Sequence, residues 1–188
     1  MTDVEGRASI APTRLALLAG LLYLPFIGLG YGTDIDITNI RRSGESILDG
    51  DYRYSRPPGA FPHEAITGIL DHLGGHILVN LGSVLAAVVT LVTLGHLVAR
   101  RHGDRAGRIA VVIAATQPWF WIAATSLGDY LYALAALLLG VDAAQRDRRI
   151  LAGLAFGTAV GFRSGTALLV GAYLLAELTG RSIDDEPG

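Results

Sequence analysis

The chain has 188 residues, no cysteine and a formal net charge of -2, with 51% hydrophobic and only 17% charged residues. This is a membrane composition, and it excludes disulfides, thiol nucleophiles and cysteine-ligated zinc. The near-neutral charge gives no basis for nucleic-acid binding, and the arginines are grouped by loop instead of spread as a basic patch.

The first apolar run, Leu15 to Leu29, follows Arg7 and Arg14 and is interrupted by Pro25 and several glycines. It is just long enough to span a bilayer. A signal peptide has the same basic start, but no small-x-small cleavage site follows, which favours an uncleaved first helix after a cytoplasmic segment 1–14. Next comes an unusually polar stretch, Gly32 to Glu64, inside an outer loop 31–76. Ile37, Ile40, Gly44, Ile47 and Leu48 form a helical stripe that Thr38 or Asn39 caps and Gly50 ends. After Arg56-Pro57-Pro58-Gly59, a second stripe of Ala65, Ile66, Ile69, Leu70 and Leu73 closes at Gly74-Gly75. Both stripes predict juxtamembrane helices on the membrane surface.

Ile77 to Ala99 is the clearest span, since about 23 residues cover roughly 34 Å. A basic loop with Arg100, Arg101, Arg105 and Arg108 leads to Ile109–Leu127, where Pro118, Trp119 and Trp121 mark an interfacial belt. A short turn, Ser126 to Asp129, precedes Tyr130–Ala144. Arg146, Arg148 and Arg149 form a second basic loop before a fifth apolar segment, Ile150–Ala176, with Arg163 inside it. The polar tail 177–188 is expected to be disordered. The expected fold is all-α: a polytopic bundle of about five transmembrane helices over 15–176, with a long outward-facing first loop.

The positive-inside rule puts both basic loops and the N-terminus in the cytoplasm. Loop 31–76, the Gln117–Asp129 turn and the C-terminal tail then face outward. Asp34, Asp36, Glu64 and Asp129, far apart in sequence, share one membrane face.

In order and spacing the chain resembles the C-type membrane glycosyltransferases that use polyprenyl-phosphate sugar donors, such as aminoarabinose transferases and protein O-mannosyltransferases. The resemblance rests on Asp34 or Asp36 after the first helix, the helix through Glu45 to Leu48, Gly50-Asp51-Tyr52 and Arg56-Pro57-Pro58. It continues through Asn80-Leu81-Gly82-Ser83, Gln117-Pro118-Trp119-Phe120, Ser126 to Tyr130, and Gly153 to Gly165 with Arg163. Ser55 stands where the aminoarabinose transferases have an acid, so a metal or donor role of that acid does not carry over, and Glu64 or His63 is the candidate to serve instead. The chain is shorter than such proteins, and the expectation is an N-terminal half that is truncated or completed by a second chain.

The resemblance implies transfer of a sugar from a polyprenyl-phosphate donor to an outward-facing lipid, glycan or protein acceptor. A carboxylate takes the acceptor proton as general base, with Asp34 preferred over Asp36. Arg56 and Arg163 stabilise the phosphate leaving group, and Asp129 orients the base or the acceptor. His63 and Glu64 are candidates for a sugar or a divalent ion, and no cofactor is otherwise implied. Each has a plainer rival: a solvated loop or Asx turn for Asp34 and Asp36, an N-cap for Asp129, and a surface pair for His63 and Glu64. For Arg163 the rival is an ion pair with Asp129 or Glu64, or snorkelling. Two alternatives of other classes are a non-catalytic membrane subunit or assembly factor and, more weakly, a transporter.

Overall fold

The computed structural model describes residues 10–184, and it is helical throughout, with no strand among the described residues. Helix α1, Ile10–Tyr23, passes at Pro25 into a 3-10 helix, Leu24–Leu29, that closes the first apolar run. The extended residues after it end at Asp34, whose side chain accepts the Asp36 amide at 3.0 Å and caps helix α2, Ile35–Leu48. The cap is therefore Asp34 and not Thr38 or Asn39, because the helix already starts at Ile35, ahead of the first stripe residue Ile37.

Helix α3, Phe61–His102, has 42 residues and a kink at Gly74 and Gly75. Gly75 has φ +60°, which L side chains rarely adopt, so the chain changes direction where two glycines permit it. The stretch after the kink, residues 76–102, is about 40 Å long at 1.5 Å per residue. It is the central helix of the molecule. The first apolar run and α3 are long and apolar enough to cross a membrane.

The expected third and fifth spans are each broken. Ile109–Leu127 divides into α4, Asp104–Thr116, and α5, Pro118–Ala124, because Gln117 precedes a proline and is extended. Ile150–Ala176 divides into α7, Arg149–Phe162, and α8, Thr166–Asp184, at an extended Arg163. Helix α6, Tyr130–Gln145, lies between them. Residues 177–184, expected to belong to a disordered tail, continue α8, and 185–188 lie outside the described residues.

One core joins Ala16, Ala19 and Tyr23 of α1 to Val84, Ala87 and Leu91 of α3, with Val111, Ala124 and Leu131. A second packs α6 on α7 through Ala133, Ala136, Leu137, Ala152, Phe156 and Ala159. Alanine makes up half or more of the buried residues in both, which lets the helices approach closely. Trp119 is exposed, whereas Trp121 packs edge-on against Tyr23 and Phe26 at 5.1 and 5.2 Å.

The polar first part of α3 lies on α2 with the backbones in contact. A Cβ on Gly44 would come within 2.8 Å of the Gly68 backbone, so the crossing admits glycine only. The buried face there is His63, Glu64, Thr67 and Gly68, while Ile69 and Leu73 of the predicted stripe are exposed. The helix has its polar side toward the protein.

Candidate active site

Four charged side chains from four segments meet beside α2. Asp129 stands at the start of α6 with its side chain 1% exposed, and it makes no capping hydrogen bond to that helix. Its carboxylate instead receives Arg163 Nη1 at 2.8 Å on one oxygen and Arg56 Nη2 on the other. Arg56 also donates from Nη1 to Asp36 at 3.2 Å. The Arg163 guanidinium lies 3.9 Å from the centroid of the Tyr130 ring, a cation–π contact. A carboxylate between two guanidiniums offsets the cost of burial, since both of its oxygens take charge-assisted hydrogen bonds. The arginine side chains remain 28% and 34% exposed, so the cationic edge of the cluster is open.

Residues of α3 hold these segments in register. Asn80, fully buried, donates to the Ile27 and Gly30 carbonyls at 2.8 and 2.7 Å, which ties the end of the first apolar run to α3. One turn later Ser83 donates to the Ser126 carbonyl at 2.9 Å. The Leu127 amide then donates to the Tyr31 carbonyl at 2.8 Å, joining the turn before Asp129 to the loop before Asp34. Sequence reasoning noted Asn80 and Ser83 as part of a motif and missed this role. A buried Asn and Ser one turn apart on an apolar helix were the available signal.

The sequence-derived candidates separate into three groups. Asp36, Arg56, Asp129 and Arg163 come together. Asp34 sits next to them, exposed, with one oxygen on the Asp36 amide and no further partner among the described residues. His63 and Glu64 are buried, and their side chains serve different neighbours. His63 packs edge-on against Tyr132 and Phe162 at 4.9 and 6.4 Å, and its Nδ1 has no hydrogen-bond partner among the described residues. Burial pushes its pKa down to about 4, against the pull of nearby Asp129. Glu64 accepts from Tyr52 Oη at 2.6 Å, from the Ser55 amide at 3.0 Å and from Ser55 Oγ. Burial raises its pKa, but these hydrogen bonds outweigh burial and hold it below the usual glutamate value. Among the described residues no three His, Asp or Glu side chains gather in a way that could hold a metal ion.

A groove of about 550 Å³ runs between α2 and residues 49–55, with Arg42, Glu45, Asp49, Asp51, Arg53 and Tyr54 in its walls and none of the four clustered charges among its lining residues.

A protein-family profile described as dolichyl-phosphate-mannose-protein mannosyltransferase matches residues 57–185. The chain belongs to that family. No curated protein and no solved structure matches it. Membership makes it a membrane glycosyltransferase of the mannosyltransferase type, in agreement with the resemblance read from the sequence. The profile covers Asp129, Arg163, His63 and Glu64, while Asp34, Asp36 and Arg56 precede it.

Proposed function

We propose that the Asp36, Arg56, Asp129 and Arg163 cluster, with Asp34 beside it, is the transfer site for a sugar carried on a polyprenyl phosphate. The family description makes dolichyl-phosphate mannose the first donor to test. The acceptor oxygen attacks the anomeric carbon as its proton passes to Asp34. The bond from that carbon to the phosphate oxygen breaks, and the electron pair leaves on the phosphate. Asp34 suits the base because its carboxylate has no guanidinium partner among the described residues, whereas the carboxylate of Asp36 is paired with Arg56. Arg56 and Arg163 meet the phosphate with their exposed N–H groups, and Asp129 holds both guanidiniums in place. The observation that carries this reading is the pair of half-exposed arginines sharing one buried carboxylate.

The membrane arrangement is part of the same proposal: a multi-pass protein with the cluster on the outward face and both basic loops in the cytoplasm. Asp142 supports it, because it pairs with Arg100 at 2.6 Å and Arg146 at 2.9 Å and so brings the two basic loops to one end of the molecule. The groove between α2 and residues 49–55, which reaches Ser55 in the chain before Arg56, offers an outward acceptor a place to lie. A metal has no assigned step.

The test is transfer of labelled mannose from dolichyl-phosphate mannose into lipid-free material by membranes carrying wild type or Asp34→Asn. Transfer by wild type and a loss of at least a hundredfold in the variant is the expected result. Equal transfer by both removes Asp34 as the base.

A further inference from the structure

Glu64 is fully buried, yet among the described residues it takes part in no ion pair. A buried carboxylate without a counter-ion is costly and persists when several donors converge on it. Here three of the donors, Tyr52 Oη, Ser55 N and Ser55 Oγ, belong to one short strap, residues 52–55, between the end of α2 and the Pro57-Pro58 turn, and Ser43 of α2 also faces the carboxylate. The next residue is Arg56. Fixing both the amide and the hydroxyl of Ser55 fixes the point from which Arg56 extends to Asp36 and Asp129.

The rest of the strap is arranged around the same hold. The Arg53 amide donates to Ser46 Oγ at 3.0 Å and the Asp51 amide to the Ser46 carbonyl at 2.9 Å, so the start of the strap is tied to α2. Tyr52 packs edge-on against Phe61 at 5.2 Å. A Cβ on Gly59 would come within 2.8 Å of Tyr52 Oη, so a glycine there leaves room for the hydroxyl that reaches Glu64.

We propose that Glu64 is a positioning residue for the transfer reaction: its buried carboxylate holds strap 52–55 on the first turn of α3 and thereby sets the reach of Arg56. The proposal rests on the reading that Arg56 meets the donor phosphate. It assigns Glu64 neither to a metal nor to the sugar.

The experiment has two arms, both on the full chain purified in detergent. In the first, trypsin cleavage after Arg53 is timed without donor. Glu64→Ala speeds it at least tenfold and Glu64→Gln, which keeps the shape and one acceptor, speeds it less. An unchanged rate in both variants overturns the proposal. In the second, affinity for dolichyl-phosphate mannose is measured for Glu64→Ala, Arg56→Ala and the double variant. Glu64→Ala weakens binding about as much as Arg56→Ala, and adding it to Arg56→Ala changes affinity less than twofold. The same fold-loss in both backgrounds overturns the proposal. If Glu64→Ala does not fold, Glu64→Gln replaces it in both arms. A wild type that binds no donor fails the functional reading, and the trypsin arm then decides the strap by itself.

Discussion

At the scale of single residues, the chemistry depends on where carboxylates stand relative to guanidiniums. Asp129 is the clearest case, because its position invited an N-cap and its side chain goes to Arg56 and Arg163 instead. Asp129→Asn leaves two cations around a neutral amide. It is expected to lower unfolding stability by about 2–3 kcal/mol, since both arginines keep partial solvent, and to abolish transfer. Thermal unfolding in detergent and the mannose assay read the two effects. Arg163→Lys keeps the charge but loses the guanidinium hydrogen bond to Asp129 and the planar contact with Tyr130, so transfer falls roughly 10–100-fold. His63 gives a prediction in pH. Its folded pKa of about 4 lies below the ordinary 6.5, so the stability of the neutral ring is present above 6.5 and is lost as pH falls toward 4. At pH 5 the loss is on the order of 2 kcal/mol. His63→Phe, which fits among Tyr132 and Phe162, should show a smaller drop in melting temperature between pH 7 and 5, and an unchanged drop rules His63 out as the source.

At the scale of elements, helix boundaries and helix faces behave differently. Boundaries were legible where a residue with fixed backbone demands stands at the end, as at Gly50 and at Gly74-Gly75. They were misread where apolarity runs on through a break. Ile150–Ala176 is apolar on both sides of Arg163, and only the pairing of Arg163 with Asp129 shows why the helix opens there. Helix faces followed the packing partner. Ile69 and Leu73 were legible as a stripe, but the side that meets α2 is polar and glycine-containing, because the two backbones touch at Gly44 and Gly68. Gly68→Leu should therefore separate α2 from α3 and reduce transfer to background, whereas Ile69→Ala on the exposed side should leave it within a fewfold. Asn80→Leu strands the Ile27 and Gly30 carbonyls and is expected to cost about 2–4 kcal/mol, read as a lower melting temperature in detergent.

At the scale of the whole molecule, the charged cluster and the basic loops lie on different parts of the fold, joined by the long stretch of α3 after its kink. The absence of native cysteine makes the proposed topology directly testable. A cysteine at Tyr54, which is exposed, should react with an impermeant reagent outside sealed cells, and one at His102 should react only after lysis. The reverse pattern inverts the proposed orientation.

Composition and the order of apolar runs by themselves determined an all-helical membrane protein, because hydropathy and local punctuation are properties of neighbouring residues, and the glycosyltransferase family came from a resemblance carried by motifs such as Arg56-Pro57-Pro58. Tertiary structure decided which charges meet. It paired Asp129 with both arginines, gave Asp36 to Arg56 while Asp34 capped α2, and turned His63 and Glu64 inward. Those outcomes depend on contacts between residues as far apart as Arg56 and Asp129. The packing of α2 on α3 and the anchors at Asn80 and Ser83 create them, and no local pattern encodes how two distant segments will be held side by side.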